Sequence, residues 1–180
     1  MFDKEYTFKG SHARKVSALT YNYDETLKSG LHIFETNLDV YLNAPVIGFL
    51  YGRKADIDNT RNPDRNEVYT TKIFGDKMIS SQTQLLFNYR LIMLLDKAYE
   101  PDIQKRITKA FRKTGENAAD IELYESYVRG GIDVLYEKIL DGAESNHEII
   151  DRLIEFIQDF QDRFNRDIDM NKISEMCRTS

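Results

Sequence analysis

The sequence predicts a mainly α-helical single domain, a bundle of about six or seven helices with at most a small β element near the N-terminus. Apolar residues recur at helical spacing through most of the 180 residues, and capping residues bracket those runs. Only three prolines and nine glycines are present, too few for a turn-rich β protein. A chain of this length fits one domain, 1–180, able to bury a core of its own.

The first segment, 1–23, reads as an arm and a short helix. Glu5–Lys9 alternates like a strand, Ser11 caps a helix through Leu19, and Tyr21–Asp24 reads as a turn. From Leu31 the apolar positions Leu31, Phe34, Leu38, Tyr41 and Leu42 are helical to about Tyr51, with Pro45 expected to kink or break the helix near Asn43-Ala44. Residues 53–66 then form a long polar loop, a length that is uncommon without a function.

Val68–Ile73 suits a short strand. Met78–Tyr99 is apolar on most sides, which predicts a helix at the centre of the domain. Pro101-Asp102 opens the next helix and Gly115 closes it. Asn117 caps a segment to Leu140, ended by Asp141-Gly142. Within it, Gly130-Gly131 costs roughly 1 kcal/mol per glycine relative to alanine. A Gly-Gly turn between two helices is therefore expected, with close approach of another backbone as the other reading. Ser145 and Glu148 form a capping box for a helix to about Asn165, and a tail follows over 169–180.

The single cysteine, Cys177, leaves no internal disulfide and fits a reducing compartment. Met1–Glu5 has no apolar signal region, and the longest apolar run, Leu91–Leu95, is too short to span a bilayer. A cytoplasmic protein without a membrane partner is expected.

Few residues suggest chemistry. His12, His32 and His147 lack a second ligand at metal-binding spacing, and there is no nucleophile motif or phosphate-cradling loop. Glu122 and Glu125 share a helix face, as do Asp133 and Glu137 beside Lys138. Paired carboxylates are nevertheless common on solvated helices, and no Glu-x-x-His motif accompanies them. No catalytic residue, metal or cofactor is expected.

Charge says more. Residues 1–115 hold 18 Lys/Arg against 14 Asp/Glu, whereas residues 116–180 hold 7 against 16. Such asymmetry suits either a partner or ordinary solvation of outer helix faces. Lys105, Arg106, Lys109, Arg112 and Lys113 fall on one face of the helix after Pro101, a stripe able to neutralise phosphates or to dock on an acidic subunit. The long loop adds Arg53, Lys54, Arg61 and Arg65, interspersed with Asp56, Asp58 and Asp64, and reads as an adaptable protein-contact loop. Tyr21, Tyr23, Tyr41, Tyr51 and Tyr69 suit either an interface or the edge of a core.

Two stretches carry a family likeness. Asp39–Lys54 joins an acidic-aromatic start, an alanine, an apolar pair, a glycine and a basic end, and Tyr127–Leu135 contains the double glycine. Together they resemble small helical accessory proteins of bacterial DNA-defence operons of the phosphorothioation (Dnd) type, whose companions are large ATPases or nucleases. The resemblance implies a non-enzymatic subunit of an anti-phage assembly and transfers no site residue. The expected function is a non-catalytic interaction subunit with a protein partner or a second copy of itself. The alternative is a DNA- or RNA-binding module that uses the 105–113 face.

Overall fold

A computed structural model describes residues 1–20, 22–24 and 29–164. The expected tail 169–180, Cys177 and Tyr21 lie outside the described residues, as does the side chain of Tyr23. The described chain is mainly helical, as expected, with seven α-helices and two short antiparallel ribbons.

Strand β1 (Tyr6–Lys9) leads into α1 (Gly10–Thr20). β2 (Asn22–Asp24) pairs with β3 (Ser29–Leu31) where a simple turn was expected. The next helix, α2, spans Asn37–Leu50 and starts later than the apolar rhythm suggests. Thr36 fixes that start through a capping box: its hydroxyl accepts from the Asp39 amide at 3.3 Å, and the Asp39 carboxylate accepts from the Thr36 amide at 2.8 Å. Pro45 lies inside α2 without breaking it. The Asn88 side chain donates to the Leu42 carbonyl at 2.7 Å, bonding a carbonyl in the turn that proline would otherwise open.

β4 (Thr70–Ile73) pairs with β1 in the register Tyr6 to Ile73, which places Phe8 and Ile73 in the core. The expected helix 78–99 is instead two, α3 (Gly75–Ser80) and α4 (Gln82–Leu95), and neither is central. Leu85, Tyr89, Ile92 and Met93 of α4 are buried, but Phe87 and Leu95 stand 64% and 50% exposed. Their apolarity marks an outward face, which hydropathy alone does not distinguish from a buried one.

α5 (Ile103–Ile107) is capped by Asp102, whose carboxylate accepts from the amides of Gln104 and Lys105. It runs on into a π-helical turn, Thr108–Arg112.

The true centre is α6 (Ala118–Ile139), capped by Asn117 and continuous through Gly130-Gly131. The expected Gly-Gly turn is not formed, and the close-approach reading is correct. A Cβ on Gly131 would lie 1.8 Å from the Ala44 carbonyl oxygen, and one on Gly48 would lie 2.2 Å from that of Tyr127. The glycines let α2 and α6 meet backbone to backbone, and this packing repays their poor helix propensity. α1 and α7 (Asn146–Phe164) also pack on α6, while α4 packs between α2 and the π-helical turn. An aromatic cluster fills the space between these elements: Tyr41 and Tyr124 have ring centroids 6.2 Å apart, and Phe2 sits edge-on to both.

At the start of α7, Ser145 accepts from the Glu148 amide at 3.2 Å, but Glu148 reaches back to the Glu144 amide rather than to that of Ser145. No helix among the described residues is long and apolar enough to cross a membrane.

Candidate functional site

The long loop is a strap before it is a loop. After α2 the chain turns at Gly52 and crosses α6. The Ala55 amide donates to the Ser126 carbonyl at 3.0 Å, and Arg129 Nε donates to the Ala55 carbonyl at 2.7 Å. Asp58 then caps α1, its carboxylate accepting from the Ser11 amide at 2.6 Å and from the Thr60 hydroxyl and amide. The Ser11 bond in particular, with those from Thr60, outweighs partial burial and holds the Asp58 carboxyl well below the usual range. Beyond it, Asn62 and Glu67 close a hairpin at 2.7 Å, with a bridge between Arg61 and Val68. The adaptable contact loop expected from the sequence is thus anchored along its first half.

Strap, β1 and α6 enclose a cavity of about 350 Å³, walled by Tyr6, Phe8, Ile57 and Ile121 with Glu122, Glu125 and Arg129. The volume is within the small-molecule range. Glu125 is its distinctive group. Its two carboxylate oxygens accept from Tyr6 Oη at 2.5 Å and Tyr41 Oη at 2.6 Å. Burial pushes its pKa up, against the two hydroxyl bonds and the Arg129 charge. Burial, reinforced by Glu125, also raises both tyrosines well above their ordinary value.

The other carboxylates nearby are equally engaged. Glu122 pairs with the Arg129 guanidinium. Asp133, one helical step further along, accepts from Lys15 Nζ at 2.6 Å and lies 3.4 Å from His12 Nε2. Burial would raise the Asp133 pKa, but the bonds from His12 and Lys15 prevail and lower it. Among the described residues no three His, Cys, Asp or Glu side chains are grouped so as to hold a metal ion. The carboxylates of the wall thus have partners inside the chain, and Thr7, Lys9 and His12 line the cavity beside them.

The nine basic candidates divide. Arg53 pairs with Glu137 at 2.9 Å. Lys54 lies 4.7 Å from the Tyr127 ring centroid and 3.7 Å from the Asp96 carboxylate. Arg61 donates to the Asn66 carbonyl at 3.2 Å, and Arg65 is exposed.

On the 105–113 segment, Arg106 is buried and donates to the Glu100 and Pro101 carbonyls at 2.8 and 2.9 Å. Lys109 bonds Asp120 at 2.6 Å beside the Tyr99 ring. Lys105, Arg112 and Lys113 remain exposed. The five do not share one free face. The π-helical turn alters the spacing that a uniform helix would give, and the core claims Arg106.

Arg106→Ala is expected to cost roughly 2–3 kcal/mol by leaving two carbonyls unbonded, whereas Arg112→Ala should stay within about 0.5 kcal/mol. Urea denaturation of the two variants checks the division of labour.

The sequence could show Glu122 and Glu125 on one face, but it could not show their partners. Tyr6 and Glu125 are 119 residues apart, and Lys15 and Asp133 are 118 apart. Of the tyrosines noted in the first seventy residues, Tyr41 is in the core, Tyr51 stacks on Phe156 of α7, and Tyr69 lies under Arg14. No protein-family model, curated protein or solved structure matches the chain.

Proposed function

We propose that the chain is a non-catalytic, cytoplasmic interaction subunit of a multiprotein assembly, and that its resemblance to Dnd-type accessory proteins places that assembly in bacterial anti-phage DNA defence. The observation that carries the reading is where its apolar surface lies. Among the described residues ten large hydrophobic side chains stand 42–67% exposed, and seven of them fall on two surfaces. Phe87, Leu95, Ile103 and Phe111 lie on the hairpin of α4 with α5 and its π-helical turn, and Ile150, Ile154 and Ile157 lie along α7. Single exposed apolar residues are ordinary, but grouped rows mark contact surfaces. The satisfied carboxylates of the cavity support the non-catalytic part.

Nucleic-acid binding through 105–113 has less support. Arg106 and Lys109 are committed inside the chain, and the groove beside Lys105 and Lys113 is also lined by Glu100, Glu116 and Asp120.

Affinity purification of the tagged chain from its host, with crosslinking and mass spectrometry, tests the proposal. A defined protein, or a second copy, should co-purify in fixed ratio and crosslink at Lys97, Lys105 or Lys113. Phe111→Asp or Ile154→Asp should remove it without lowering the melting temperature. A chain that runs as a monomer and captures no protein, or that retains only nucleic acid, would overturn it.

A further inference from the structure

The two exposed surfaces differ in charge, and the difference selects an occupant. On α4, Phe87, Leu91 and Leu95 recur every four residues, and across the hairpin Ile103, Ile107 and Phe111 do the same. Arg90 fixes the two rows against each other. Its Nε donates to the Ala110 carbonyl at 3.3 Å, and its guanidinium lies over the Phe111 ring. This face is basic: of the seven Lys/Arg in residues 87–113, Arg106 is buried and Lys109 is paired with Asp120, which leaves five cations against Glu100 and Asp102, Asp96 being buried too.

The α7 surface has the opposite character. Its apolar stripe is wider than its seat. Ile149, Leu153, Phe156 and Phe160 pack on the domain, whereas Ile150, Ile154 and Ile157 form an edge 42–48% exposed. Residues 146–164 hold five Asp/Glu against two Lys/Arg, and Asp151, Glu155 and Asp162 follow the exposed edge on the helix.

We propose that these surfaces bind each other between copies of this chain, head to tail, with the isoleucine edge of α7 seated on the Phe87–Phe111 face of the next copy. Each surface offers an apolar row and carries the charge that the other lacks, so one sequence supplies both halves of a complementary contact. Pairing like with like would set carboxylates against carboxylates, or cations against cations, and is disfavoured. A contact between two different patches is heterologous, so it builds a ring or an open string rather than a closed two-fold dimer.

The inference rests on the assembly reading and takes a second copy as the partner. Sedimentation velocity of the purified chain tests it at concentrations up to about 100 μM, well above micromolar affinity. The wild type should show mass rising with concentration beyond a dimer, and raising salt from about 0.05 to about 0.5 M should weaken association at least tenfold. Ile154→Asp and Phe111→Asp should each be monomeric alone. Mixed in equal amounts they should form a dimer and stop, because each retains the surface the other has lost. Ile157→Glu and Phe87→Glu serve if either first variant fails to fold. A monomeric wild type, a mixture that does not pair, or association broken by only one of the two changes would overturn the proposal. A monomer that still captures a host protein through these residues would overturn self-pairing and leave the assembly reading standing.

Discussion

Gly131→Ala is expected to destabilise the protein by more than about 3 kcal/mol, although alanine is the better helix former by roughly 1 kcal/mol. The reason is geometric. The added carbon would sit 1.8 Å from the Ala44 carbonyl oxygen and 2.5 Å from its carbon, both backbone atoms of α2 that no rotamer change can move. Relief requires α2 to slide away from α6, which opens the contact between the two helices and disturbs Tyr41 and Val128 beside it. Gly130→Ala should behave similarly, because its Cβ would meet the Arg53 carbonyl oxygen at 2.1 Å and lift the strap.

Gly142→Ala is the control. Gly142 has a φ of 70° with open space around it, so only the strain of a left-handed alanine, about 1 kcal/mol, should appear. For a chain of this size, a loss of about 3 kcal/mol corresponds to a melting temperature lower by roughly 6–12 °C. A Gly131→Ala protein that melts at or above the wild-type temperature would mean that α2 and α6 are further apart than described.

The same glycines show what was and was not legible in the sequence. Helix existence came through periodicity and caps: Asp102 and Asn117 are local signals that the structure uses, whereas the apolar rhythm from Leu31 hid the Thr36–Asp39 box that starts α2. What a helix faces is not local. Gly130-Gly131 looks the same in a turn and in a tight crossing until the partner, Ala44 on α2, is known. Met78–Leu95 is greasy around its circumference, and only the packing separates buried Tyr89 and Ile92 from exposed Phe87 and Leu95.

The basic run shows the reverse difficulty. Five cations at helical spacing count as one stripe on a uniform helix, but a π-helical turn and two inward-directed cations divide them. The strap is opaque for a third reason. Its hold on α6 runs through backbone groups such as the Ala55 amide and carbonyl, which every sequence possesses.

Glu125 should give the chain a stability that declines as pH rises above the ordinary glutamate range. The carboxyl is partly enclosed at the cavity, and burial raises its native pKa above the value of 4.5 it has when unfolded. Between those two values the native state holds the proton more tightly than the unfolded state, so each step up in pH favours unfolding. Below 4.5 the contribution is fully present, and above the native value the loss is complete. Asp58 and Asp133 act in the opposite sense. Their pKa values are lowered, so the stability they give is present above 3.8 and is lost as pH falls through their native values.

Glu125→Gln isolates the first effect, because the amide keeps the volume, accepts from one tyrosine and donates to the other. Its stability relative to wild type should climb with pH from about 4.5 and then level off. Glu125→Ala should instead lose roughly 2–4 kcal/mol at every pH, since it leaves the Tyr6 and Tyr41 hydroxyls unpaired and a void between them. Urea titrations of the three proteins between pH 4 and 8 separate the outcomes. A Gln variant that loses ground as pH rises would show that Arg129 and the tyrosine hydroxyls, rather than burial, govern this carboxylate.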